Sequence, residues 1–282
     1  MKEKKTKVIC DTNIWYRIGD KGIHPIKKHT GSDIKLCISS LSYLEIISSN
    51  SINTNFEAVK WANNAVNKYA TILVANDIEQ VLLALDVQFV PVNNLQVVEN
   101  IRKVCKSILE ATKPDELNYE YYDLINARSC ASKNAIKDYQ KLADRLNKCK
   151  NITLEKIKSR LAWKLMIDVF LYIARHKLKI RRRWYYIFCY QKYLSTFNLY
   201  FTCFANFLYA YIISQRTAKK NPMKLKSNDY VDFRNLLYCT NEEKYLTLEK
   251  STGNSIGGIL RQYGSRYELE HAEKIKQEYK HH

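Results

Sequence analysis

Four acidic positions recur in one local setting along this chain. Asp11 follows the apolar run Val8-Ile9-Cys10, and Glu45 lies just beyond the alternating stretch Ile34-Lys35-Leu36-Cys37-Ile38. Asp232, with Asp229 one turn before it, opens the segment Asn228–Tyr238, and Glu249 closes Lys244-Tyr245-Leu246-Thr247-Leu248. A short apolar run that stops at small polar residues reads as a buried strand feeding a helix. Each acid therefore falls at a strand end or in an early helix turn, where open α/β sheets place their ligand sites. Taken singly, Asp11 reads as a helix cap and Glu45 as a carboxylate favoured by a helix dipole. Gathered together, such carboxylates repel one another unless cations neutralise them. Oxygen ligands without Cys or His select Mg2+ or Mn2+, and such ions support in-line displacement at a phosphodiester.

The elements that must position these acids follow from the surrounding pattern. After Asn13, residues Ile14, Trp15, Tyr16 and Ile18 continue a short helix that Gly19-Asp20-Lys21-Gly22 ends. Ser39-Ser40 cap the helix that carries Glu45. From Phe56 to about Asp86 the pattern is helical, with Val59, Trp61, Ala62, Ala65, Val66 and Tyr69 on the expected buried face. Pro91 breaks the chain, and residues 94–220 read as a long helical region. Asp229 and Asp232 are three apart and share one helical face, which leaves open which of them turns to the site. Ile256, Ile259 and Leu260 begin a further helix, and the charged tail beyond Glu268 is expected to be exposed.

Composition bounds the rest. The chain has 282 residues, 46% of them apolar, which allows a sizeable core and argues against global disorder. Only 7 Gly and 4 Pro favour helices over a turn-rich all-β fold. The net charge is +18, and the stretch Lys150–Lys226 holds 17 Lys/Arg against only Glu155 and Asp168. A basic block beside a nearly neutral remainder points to a polyanion, of which nucleic acid is the commonest. Lys156, Lys158, Arg160, Lys164, Arg181, Arg182 and Arg183 are the residues expected to follow a phosphate backbone. The aromatics Trp184, Tyr185, Tyr186, Phe188 and Tyr190 follow those arginines, where they could stack bases, although an aromatic helical face is more often core.

Residues 193–213 contain no charge, a length that could span a bilayer. The polar residues within it and the basic flanks on both sides favour a buried or partner-facing helix, so a membrane partner is not expected. The 8 cysteines are scattered without Cys-x-x-Cys, as free thiols of a reducing cytoplasm would be, and the charged N-terminus lacks a signal-peptide pattern. The expected location is cytoplasmic.

The order of these motifs resembles the PIN-domain nucleases, which are metal-dependent ribonucleases. Val8-Ile9-Cys10-Asp11-Thr12-Asn13 resembles their strand into Asp-x-Asn, and Ile38-Ser39-Ser40-Leu41-Ser42-Tyr43-Leu44-Glu45 their helical Glu after the second strand. Asp232-Phe233-Arg234-Asn235-Leu236-Leu237-Tyr238 resembles the later helix opened by Asp, and Leu246-Thr247-Leu248-Glu249 the Thr/Ser-x-Asp/Glu motif. The resemblance implies that Asp11, Glu45 and Asp232 ligate metal, with Asp229 an adjacent acid. Glu249 would hold a second ion or orient water, Asn13 would support the shell and Thr247 would position it. It also implies an α/β fold, a PIN-like three-layer α/β/α domain with a central parallel sheet. More than 180 residues separate Glu45 from Asp229. Residues 94–222 are therefore expected to form a basic, mainly helical insertion between a first core segment, 1–93, and a second, 223–282. The function implied is an endoribonuclease with RNA or single-stranded DNA as substrate; a further reading is a toxin or defence-type nuclease with an antitoxin or other protein as partner. The alternative is a PIN-like protein that binds nucleic acid or a partner without turnover.

Overall fold

The computed structural model describes residues 6–30, 34–48, 51–73, 75–89, 94–181, 183–218, 221–240, 244–249, 258–259 and 266–281. Pro91, Arg182, Ile256 and Leu260 lie outside them. The first half of the chain runs β1 (Thr6–Cys10), α1 (Thr12–Lys21), α2 (His24–Thr30), β2 (Ile34–Ser39), α3 (Ser40–Ile47), α4 (Ser51–Thr54), α5 (Phe56–Tyr69), β3 (Thr71–Leu73) and α6 (Asp77–Ala84). Five further helices follow, all but α10 long: α7 (Asn94–Glu110), α8 (Tyr119–Asn147), α9 (Leu154–His176), α10 (Tyr190–Thr196) and α11 (Asn198–Thr217). The chain then returns through α12 (Ser227–Asn235) and β4 (Lys244–Leu246) to α13 (Arg266–His281).

The sheet has the order β3-β2-β1-β4, and every pairing is parallel. Val8 pairs in register with Leu36, Ile9 with Tyr245, and Ile38 with Ile72. Because side chains alternate along a strand, the central strands are apolar on both faces. Val8, Cys10, Leu36, Ile38 and Leu246 pack into one cluster, and Ile9, Cys37 and Tyr245 into another. Helices thus cover both faces of a parallel sheet, the expected α/β architecture.

Several expectations need correction. The stretch from Phe56 to Asp86 is not all helix: β3 interrupts it, and its three residues extend the sheet beside β2. Trp61 is 47% exposed rather than buried. Gly19 does not end α1 but lies inside it, where a Cβ would collide with the Trp61 backbone, so its bareness is what lets α1 approach α5. The helix ends at Gly22, whose φ of 83° suits glycine and whose N–H caps Ile18 O at 2.8 Å. The C-terminal tail is not a free charged segment either, since Ile275 and Tyr279 of α13 are buried and Tyr279 Oη donates to Gly22 O at 2.9 Å.

Residues 94–222 do more than interrupt the core. Ile101, Val104 and Ile108 of α7 join the cluster on one sheet face, while α9 and α11 contribute a large share of the cluster on the other. The uncharged stretch 193–213 falls across α10 and α11, which bend by 87° at Phe197. No single helix among the described residues is long and apolar enough to cross a membrane; that bent pair passes only by length and composition. Tyr193, Phe197, Tyr200, Phe201, Phe204 and Leu208 are buried within the protein.

Candidate metal centre

Parallel strands bring their carboxyl ends to one edge, and the site is assembled there. Asp11 is the first residue past β1, its backbone N–H bonded to Leu246 O at 2.9 Å, so it continues the pairing of β1 with β4. Its side chain is 2% exposed and fully engaged. Oδ1 accepts from the Thr12 N–H at 2.7 Å, which is the helix cap expected from sequence. Oδ2 accepts from Asn13 Nδ2 at 2.8 Å and from Thr247 Oγ1 at 2.7 Å. Asn13 also reaches Thr247 Oγ1 at 3.1 Å and accepts the Leu248 N–H at 3.0 Å. Asn13 and Thr247 thereby hold the Asp11 carboxylate in one orientation.

Glu45 comes from α3. Ser39 caps that helix by accepting the Ser42 N–H at 2.9 Å, which fixes where the helix starts and so where its second turn places Glu45. Ser39 Oγ also donates to Asn235 Oδ1 at 2.6 Å, tying the end of β2 to the last turn of α12, one turn beyond Asp232. Asn235 was not among the expected site residues; its one sequence signal is its position three after Asp232 on the same helical face.

Asp11, Glu45 and Asp232 each offer an oxygen, and those atoms lie within 4.8 Å of one another. Three elements far apart in sequence thus place three carboxylates around one point. Asp229 does not join them: its Oδ2 accepts the Lys226 N–H at 2.6 Å and caps α12, so of the two aspartates it is Asp232 that stands with Asp11 and Glu45. Glu249 also stays outside the trio, with its N–H on Thr247 Oγ1 at 3.2 Å, yet it is near enough for its charge to act on Asp232.

The electrostatics follow from burial and crowding. Burial pushes the Asp11 carboxyl above the usual range, and hydrogen bonds from Thr247, Thr12 and Asn13 draw it part of the way back. Asp232 is held well above that range, first by burial and then by the charges of Asp11, Glu45, Glu249 and Asp229. Like charges this close favour protonation, or a cation between them. The donor set is all carboxylate, without His or Cys, and suits a hard ion such as Mg2+ or Mn2+.

The basic residues are spread more widely than expected. Lys164 is turned inward, bonded to Asp168 at 3.1 Å and lying over the Tyr139 ring, so it is a structural cation and not a free backbone contact. Lys158 lies 3.8 Å from Glu155, and exposed Lys156 donates to Asn151 O at 2.7 Å. Arg183 bonds Asp86 at 2.7 Å, while Arg160 and Arg181 are exposed. The aromatics that follow Arg183 are not the core face favoured by the sequence pattern: Trp184, Tyr185 and Phe188 stand in solvent.

The fold and site together define an α/β protein with a carboxylate trio, Asp11 buried and Glu45 and Asp232 half-buried, at the carboxyl edge of a parallel sheet. Among known proteins, the chain matches no family model, no curated protein and no solved structure.

Proposed function

We propose that this chain is a PIN-like, metal-dependent endonuclease that hydrolyses RNA. The observation that carries the reading is the convergence of Asp11, Glu45 and Asp232 oxygens within 4.8 Å of one another. Carboxylates so crowded and buried cost stability unless they serve a cation, and their position matches the ligand edge of an open parallel sheet. The basic stretch of helices supports a polyanionic substrate.

Asp11, Glu45 and Asp232 would hold the divalent ion. Bound there, it supplies Lewis acidity toward phosphate oxygens. Asn13 and Thr247 keep the Asp11 carboxylate oriented, and the Ser39–Asn235 bond keeps α3 and α12 in register so that Glu45 and Asp232 face each other. Glu249, whose charge acts on Asp232, would hold a second ion or orient the attacking water. Hydrolysis would leave 5′-phosphate and 3′-hydroxyl ends.

The test is Mn2+ calorimetry on wild-type and Asp11→Asn protein, with cleavage of a labelled single-stranded RNA followed in parallel. Binding and cleavage lost together in the variant is the expected result. Wild-type protein that binds no Mn2+, or equal cleavage by both proteins, would overturn the assignment.

A further inference from the structure

Large apolar side chains exposed to solvent concentrate in one place. On α9, Trp163 and Phe170 are 52% and 53% exposed; on the 3-10 turn Trp184–Phe188, Trp184 and Phe188 are 56% and 57% exposed. Trp163 and Phe170 are seven apart on one face of α9, and each anchors a group of rings. Trp163 stacks on Tyr190 with centroids 6.0 Å apart and planes 27° from parallel, and Phe170 meets Phe188 at 6.4 Å. Trp184 packs edge-on to Phe188 at 6.2 Å. An apolar cluster of this kind marks an interaction site.

Its surroundings choose the occupant. Exposed Lys156 and Arg160 precede Trp163 by seven and three residues and so continue its stripe along α9. Exposed Lys177, Lys179 and Arg181 lie between α9 and the turn. The two acids of the region are both engaged, Glu155 with Lys158 at 3.8 Å and Asp168 with Lys164 at 3.1 Å. The turn is anchored rather than loose, through Arg181 N–H to Gln88 O at 2.9 Å and Arg183 to Asp86 at 2.7 Å. Fixed rings rimmed by cations suit a ligand that alternates flat apolar faces with phosphates. A second copy of the same basic surface would meet it with like charge.

We infer that this face of α9 and the Trp184–Phe188 turn is a stacking platform for unpaired nucleotides, and that the protein grips single-stranded rather than duplex nucleic acid. The inference rests on the nuclease reading for the choice of RNA, but its surface shares no residue with the carboxylate trio. Base faces are free to stack only in an unpaired strand, whereas a duplex offers mainly phosphates.

The experiment is fluorescence anisotropy in EDTA, using a labelled single-stranded RNA of about 12 nucleotides and a hairpin duplex of matching length. Wild type is expected to bind the single strand about tenfold or more tightly than the duplex. Trp163→Ala and the double variant Trp184→Ala/Phe188→Ala should each weaken it by about tenfold per ring. Trp163→Phe should stay within about threefold of wild type, and Mn2+ affinity should be unchanged in all three. Asp11→Asn should bind the strand as wild type does, so a failed metal site and a failed platform give different results. Equal affinity for the duplex, or wild-type affinity in the ring variants, would overturn the inference. So would anionic vesicles, or a second protomer, engaging the rings while the RNA does not bind.

Discussion

Thr247 Oγ1 donates to Asp11 Oδ2 at 2.7 Å across 236 positions of sequence, and Asn13 Nδ2 bonds both atoms of that contact. The bond joins the ends of β1 and β4 and leaves the carboxylate with one orientation. Second contacts of this sort typically govern metal affinity over one to two orders of magnitude. Thr247→Ala is therefore expected to weaken Mn2+ binding by about tenfold while the protein stays folded. Thr247→Ser, which keeps the hydroxyl, should restore it. Calorimetry on the pair checks this: equal loss in both variants would mean that the methyl group and not the hydrogen bond matters.

Asp232 carries the largest electrostatic burden in the site. Its folded-state pKa is raised, by burial and then by four neighbouring carboxylates, so the folded protein holds a proton that the unfolded chain has released. The sign follows from linkage: stability of the metal-free protein falls as pH rises from the ordinary aspartate value of 3.8 toward the raised folded value. Metal competes for the deprotonated trio, so its stabilising effect should grow over the same range. Melting curves in EDTA and in Mn2+, from about pH 5 to about pH 8, should diverge as pH rises. Parallel curves would show that the trio neither titrates nor binds the ion.

The same argument gives Asp232→Asn an unusual profile. Removing the charge should raise the melting midpoint of the metal-free protein at neutral pH and flatten its dependence on pH, because the crowded carboxylate is gone. Mn2+ should then bind about a hundredfold more weakly and stabilise the variant little. A lower midpoint in EDTA would point to a structural role for the Asp232 carboxylate that outweighs its repulsion.

Two residues past Asp232 on α12, a different ion pair does structural work. Arg234 of α12 is 3% exposed and pairs with Asp77 at the start of α6, with Asp168 of α9 a further 3.9 Å from its guanidinium. Breaking such a pair from one side strands the other charge. Arg234→Ala should cost about 3–5 kcal/mol in urea unfolding. Asp77→Leu combined with Arg234→Met should recover much of that loss, since apolar replacement of both partners is often neutral. Additive losses in the double variant would contradict the pairing.

How far the sequence could be read depended on whether a feature was local. The cap at Asp11, the Ser39 helix start and the strand ends are short-range patterns, and they could be read directly. That α6 follows a three-residue strand could not, because Thr71-Ile72-Leu73 continues the apolar content of α5 without a break in composition. Periodicity also failed at Trp184 and Phe188: it reports that a face is apolar, not whether protein covers it. The meeting of Asp11, Glu45 and Asp232 is long-range. It was inferred from the order of motifs, while the choice of Asp232 over Asp229 needed the Lys226 contact.

Gly19 offers a test of packing away from the site. It lies inside α1, against the Trp61 and Ala62 backbone of α5, and a methyl group there has no room unless the two helices separate. In an open helix position Gly→Ala would stabilise the protein by about 1 kcal/mol through helix propensity. Here overpacking should outweigh that gain, and Gly19→Ala is expected to destabilise by about 1–3 kcal/mol in urea unfolding. Because α1 begins at Thr12, whose N–H binds Asp11, the displacement should also reach the site as a modest loss of Mn2+ affinity. A stabilised variant would show that α1 and α5 are not in the close contact described.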